Sequence, residues 1–193
     1  MYVIPAASGI AYAEKIVIAN NTISGVILAT GGTYTNAIAY VGVPGSSGAR
    51  ARYVTITGNF IDNTSTALMM GVRIEVAEND ITISGNQIRG AYYGIYMTVG
   101  ANNTTSGVQI AHNNICLQTN GTGLTYSQDT TVSAYMQHVV VMGNVVRRMA
   151  GATGTLGINN SPAAPTSLVL MGNDVSDTNT AYNNVPTGIG NLP

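Results

Sequence analysis

The 193 residues carry seven basic and eight acidic side chains, a charged fraction of 8% against the ~25% of ordinary globular domains, while 45% of the chain is apolar. That composition excludes a disordered chain, and a net charge of −1 with seven scattered cations lacks the electrostatic footprint of a nucleic-acid or anionic-membrane binder. One cysteine, Cys116, excludes an intramolecular disulfide, and with His112 and His138 it cannot close a zinc site, so no metal or other cofactor is expected.

Short strand signals then recur along the chain. Gly9-Ile10 opens the series, and Ile16-Val17-Ile18-Ala19-Asn20-Asn21-Thr22-Ile23 follows, with apolar residues alternating up to an Asn and resuming after it. After the weak member Ala37-Ile38, the pattern returns as Val54-Thr55-Ile56-Thr57-Gly58-Asn59-Phe60-Ile61, then Gly71-Val72, then Ile81-Thr82-Ile83-Ser84-Gly85-Asn86-Gln87-Ile88 and Gly94-Ile95. Val108-Gln109-Ile110-Ala111-His112-Asn113-Asn114-Ile115 and Gly123-Leu124 come next, then Val139-Val140-Val141-Met142-Gly143-Asn144-Val145-Val146 and Gly157-Ile158. Leu168-Val169-Leu170-Met171-Gly172-Asn173-Asp174-Val175 and Gly188-Ile189 end it.

The turn residues Asn21, Asn59, Asn86, Asn113, Asn144 and Asn173 stand 38, 27, 27, 31 and 29 residues apart, one coil each. Alternation of period two, β-branched enrichment and Gly/Asn punctuation favour strand, and no window sustains the i, i+3, i+4 spacing of a helix. A coil that buries one row of side chains is unstable alone, so the repeats must stack, ~4.8 Å apart, into one solenoid. The expectation is an all-β parallel β-helix of about six coils, roughly 29 Å along its axis, forming a single domain over 1–193 with repeats from about 9 to 190. In each turn the Asn tolerates a left-handed φ and bonds its equivalent one rung away, which makes the ladder structural.

These I-x-G-N-x-I and G-I repeats, covering roughly Gly9 to Gly190, resemble the right-handed parallel β-helices of the pectin-lyase-like superfamily, phage tailspike and virion-surface β-helices among them. The resemblance specifies architecture more than function, because the fold hosts lyases, hydrolases, epimerases, adhesins and virion proteins. It implies a virion or extracellular location. No run approaches the ~18 apolar residues of a spanning helix, and Met1–Ser8 lacks the positive start of a signal peptide, so no membrane insertion is expected. Neither end shows a cap: the chain is either a fragment of a larger spike or a small complete protein with ends covered by partners, and Met1 favours the second.

Outward positions carry the candidates for function. Before the ladder Asn the last two coils present Val140, Met142, Val169 and Met171 on the outer face, apolar on both sides of one strand, and a subunit interface in a homotrimer or larger symmetric particle is expected there. After the Gly signal the outer column reads Ala39/Val41, Arg73/Glu75, Tyr96/Thr98, Thr125/Ser127 and Asn159/Ser161. Tyr92, Tyr93 and Tyr96, with Tyr126 on the next rung, form a candidate platform for sugar rings, with Tyr93, Tyr96 and Tyr126 the proposed contacts.

An enzyme would use Glu78 and Asp129 as acid and base from corresponding turns ~10 Å apart, close to the ~6.5–9.5 Å of an inverting glycosidase pair, with Arg73 and Glu75 positioning substrate. The adjacent-Asp, Gly-His-Gly and Arg-x-Lys elements of polygalacturonase-like relatives are missing. No Ser/His/Asp or Cys/His constellation is legible; His112 reads as a turn residue and His138 as the residue before a strand. The preferred expectation is therefore a non-catalytic structural and adhesive module, with other virion or surface proteins and polysaccharide as partners. The alternative is a polysaccharide lyase or glycoside hydrolase.

Overall fold

A computed structural model describes residues 2–3, 12–25, 33–41, 50–63, 67–75, 77–99, 104–128, 135–161 and 167–184. Among these residues there are strands and turns but no helix. In chain order, coil by coil, the strands are β1 (Tyr2–Val3); β2 (Tyr12–Ala19), β3 (Thr22–Ser24) and β4 (Thr35–Val41); β5 (Arg50–Thr57), β6 (Phe60–Asp62) and β7 (Met69–Glu75). Then come β8 (Ala77–Ser84) and β9 (Gln87–Val99); β10 (Thr104–Ala111) and β11 (Asn114–Gln128); β12 (Tyr135–Met142), β13 (Val145–Arg148) and β14 (Leu156–Ser161); β15 (Leu168–Met171), β16 (Asp174–Asp177) and β17 (Thr180–Asn183).

Every pairing is parallel, and each strand pairs with its equivalent one coil away. The first face is the six-stranded sheet β2-β5-β8-β10-β12-β15. A second face stacks β3, β6, the start of β9, the start of β11, β13 and β16, and a third stacks β1, β4, β7, the rest of β9, the rest of β11, β14 and β17. This is a parallel β-helix, in which β9 and β11 run through the corner between the second and third faces without a break.

Alternation explains the core. On the first face Ile18, Ile56, Ile83, Ile110, Val141 and Leu170 are in register and buried. Ile61, Ile88, Ile115 and Val146 line the second face, and Ile38, Val72, Ile95, Leu124 and Ile158 the third, so apolar columns from all three faces meet at the axis. Each such side chain contributes about 1.5–3 kcal/mol by leaving water.

At the turn between first and second faces the asparagines stack in register. Nδ2 of Asn59 donates to Asn86 Oδ1, of Asn86 to Asn113 Oδ1, of Asn113 to Asn144 Oδ1 and of Asn144 to Asn173 Oδ1, all at 2.9 Å, and Asn21 starts the series at the same distance from Asn59. The backbone N–H of each donates to the same oxygen at 3.0–3.1 Å, and the second Nδ2 proton of each buried member reaches a carbonyl of the preceding coil. Within the column the amides thus have their hydrogen-bonding capacity met without water, as burial demands.

The Gly-apolar signal has a different cause. Gly71, Gly94, Gly123 and Gly157 follow one another up the third face, and a β-carbon on Gly94 would lie 2.5 Å from the Gly123 carbonyl and 2.6 Å from Ile115 Cγ2. The coil corner closes too tightly for any side chain.

Candidate functional site

The outer column of the third face runs Ala39, Arg73, Tyr96, Thr125, Asn159 and Asn183, matched strand to strand. Arg73 donates through Nε to Glu75 Oε1 at 2.9 Å, and its Nη2 pairs with the same oxygen, so the cation and the carboxylate neutralise each other two residues apart. Beside this pair lies a tyrosine cluster. Tyr93 and Tyr96 have ring centroids 5.2 Å apart, Tyr92 meets Tyr93 edge-on at 4.9 Å, and Tyr34, just before β4, reaches across β7 to Tyr92 and Tyr93 at 5.7 and 5.8 Å. These spacings are those of favourable aromatic pairs. Tyr34 is exposed and the other three are half-buried. Partial burial, then the surrounding phenols, pushes the Tyr93 hydroxyl up to about 12.

Tyr126 is not part of that surface. Thr125 occupies the outward position, so the next residue of the strand points inward: Tyr126 is 1% exposed, in register with core Met97, and burial raises its phenol further. The placement of Glu78 also departs from expectation. It lies within β8, on the first face, where a bulge shifts the register between Ala51 and Arg52, whereas Arg73 and Glu75 lie in β7 on the third. Asp129 lies outside the described residues. The structure thus brings Arg73, Glu75, Tyr93 and Tyr96 together and puts Glu78 on a different sheet.

On the first face Val140 pairs with Val169 and Met142 with Met171 across β12 and β15. Val169 is 46% and Met171 53% exposed, with Val140 and Met142 half-buried beside them. Cys116 faces out on the second face in register with Arg89 and Arg147, and burial holds its thiol above the usual range despite those two cations.

Two features escaped sequence reasoning. Asn183 Nδ2 donates to Asn159 Oδ1 at 2.8 Å, a short second amide stack on the third face. More consequential is Ser106 Oγ, 3.0 Å from His138 Nδ1 on the first face. Their separation of 32 residues is close to one coil, and laying the outer positions of β10 and β12 side by side is what pairs them in the sequence. No family model, curated protein or solved structure matches the chain.

Proposed function

We propose that this chain is a structural and adhesive β-helix module of a virion or extracellular surface that self-associates, as a homotrimer, and holds polysaccharide against its third face. The observation that carries the reading is the cluster of Tyr34, Tyr92, Tyr93 and Tyr96 beside the self-neutralised Arg73–Glu75 pair. Tyrosine combines an apolar face for a sugar ring with a hydroxyl for its rim. Around it the column offers the Tyr96 and Asn159 polar groups, and Glu75 is the one carboxylate among its described outward residues, already tied to Arg73. That is chemistry for holding a glycan rather than cleaving it, since cleavage calls for two carboxyl groups in separate roles. The exposed Val169 and Met171, with Val140 and Met142, supply the self-association surface.

The test is incubation of the assembled protein with a panel of bacterial capsular and O-antigen polysaccharides, followed by calorimetry and by assays for reducing ends and unsaturated uronates. Binding without turnover, weakened about tenfold in Tyr96→Ala, is expected, because one stacked ring supplies roughly 1 kcal/mol or slightly more. Depolymerisation lost in Glu78→Gln or Asp129→Asn would replace this reading with the lyase or hydrolase.

A further inference from the structure

Two columns of the fold require left-handed backbone, and they are filled very differently. At the turn before the asparagine ladder the column is Asn20, Gly58, Gly85, His112, Gly143 and Gly172, mostly glycine, as the conformation favours. At the kink near the start of the first-face strands the column is Lys15, Tyr53, Asp80, Gly107 and His138, with φ of 56°, 55°, 57°, 67° and 49°. A left-handed residue other than glycine costs roughly 1–2 kcal/mol, and for a bulky one such as Tyr53 it is an outlier. Four exposed, titratable side chains are nevertheless kept there. Strain maintained on such groups points from conformation to function.

Around Gly107 the groups converge. His138 leans toward β10, with Nδ1 3.0 Å from Ser106 Oγ, inside the range for a nucleophile and its base. Asp80 leans in from the other side, its Oδ1 2.8 Å from where a β-carbon on Gly107 would stand. Gly107, with no side chain of its own, leaves the space above its α-carbon to the Asp80 carboxylate. In the adjacent column Ser106 is flanked in register by Asn79 on β8 and Gln137 on β12, two residues whose side chains carry amide donors.

We propose that Ser106 and His138 form a nucleophile–base pair that hydrolyses small acyl esters, with Asn79 and Gln137 as donors to the developing oxyanion and Asp80 placing negative charge near the imidazolium. Ser106 Oγ bonds to the ester carbonyl carbon as its proton passes to His138 Nδ1. The imidazolium returns that proton to the departing alkoxide as the carbon–oxygen bond breaks, leaving an acyl-serine. Water then attacks the acyl carbon, giving its proton to His138, and Ser106 leaves with that proton as the carboxylic acid is released. The overall change is ester plus water to acid plus alcohol. This site is on a different face from the tyrosine cluster and does not depend on the glycan reading.

The experiment uses the full chain, a fluorophosphonate probe read by peptide mass mapping, and p-nitrophenyl acetate hydrolysis. The probe is expected to label Ser106, and turnover is expected to fall at least ~100-fold in Ser106→Ala and in His138→Asn, the latter chosen because Asn tolerates the left-handed backbone. Asn79→Ala is expected to lose about a hundredfold in kcat, as for removal of an oxyanion donor. Ser84→Ala, an outward serine bonded to Thr57 Oγ1 on the same sheet, should hydrolyse and label like wild type. Absence of labelling at Ser106 in the folded wild-type chain, or hydrolysis undiminished in Ser106→Ala, overturns the proposal, and unchanged circular dichroism of the variants separates lost chemistry from lost fold.

Discussion

Truncating one rung of the asparagine ladder should cost far more inside the stack than at its edge. In Asn113→Ala four hydrogen bonds vanish: two that Asn113 Oδ1 accepts from Asn86 N and Nδ2, at 3.0 and 2.9 Å, and two that its Nδ2 donates to Ile83 O and Asn144 Oδ1, both at 2.9 Å. Asn144 Oδ1 keeps the backbone N–H of residue 113, but the N–H and one Nδ2 proton of fully buried Asn86 are left without acceptors. At about 1–3 kcal/mol for each orphaned buried group, the loss is about 4 kcal/mol, a large share of the ~5–15 kcal/mol that holds a domain together. Asn21→Ala removes only donors, to Asn59 Oδ1 and Ala19 O, from an exposed residue, and Asn59 Oδ1 retains the Asn21 N–H, so about 0.5–1 kcal/mol is expected. Urea titration followed by strand circular dichroism reads the difference: ~3 kcal/mol between the variants is a midpoint gap of about 1.5 M at an m of roughly 2 kcal/mol/M. Equal midpoints for the two variants, or a loss below ~1 kcal/mol in Asn113→Ala, would refute the view that the column is a fully satisfied buried network.

Gly94→Ala places a methyl group against a carbonyl and Ile115 and should destabilise by ~3 kcal/mol, whereas Gly151→Ala, whose added carbon meets open space at φ +78°, should cost only the ~1–2 kcal/mol of the left-handed backbone; similar losses in urea would contradict the tight-corner account. Because Tyr93 ionises near 12 in the folded chain and near 10 when unfolded, its contribution to stability is complete below the unfolded value and lost as pH rises through the folded one. Phenolate absorbance of the native chain should therefore lag that of the denatured chain across this interval, and superimposable titrations would remove the argument. Met171→Asp puts a charge into the exposed first-face patch and should shift the assembled protein toward monomer in light scattering; a wild-type monomer over the micromolar range would dispose of the proposed interface.

The asparagine ladder was legible because one residue type serves the same turn in every coil, and its spacing absorbs the variable loop lengths. The Gly-apolar signal likewise exposed the third-face strands, since its cause, a corner too close for a β-carbon, acts identically at Gly71, Gly94, Gly123 and Gly157. Outward residues repeat no pattern, and that is where sequence reasoning failed. Tyr126 was assigned to a surface by its nearness to other tyrosines, although alternation puts it on the core side of the strand with Leu124, both of them fully buried. Glu78 was grouped with Arg73 and Glu75 because it follows Glu75 by only three positions, but the chain passes from the third face to the first between β7 and β8.

The left-handed column Lys15, Tyr53, Asp80, Gly107 and His138 was invisible for a related reason. A kink announced by glycine is readable, while one imposed on lysine, tyrosine and histidine by the neighbouring coils is set by the stack and leaves no local mark. In a repeat fold the regular positions specify the scaffold, so any position where the stack demands one conformation and the side chain prefers another is informative beyond its own coil. By that criterion the outward row beginning at Lys15 and ending at His138, with Ser106 bonded to its last member, has a stronger claim to chemistry than the carboxylates Glu78 and Asp129 expected in corresponding turns.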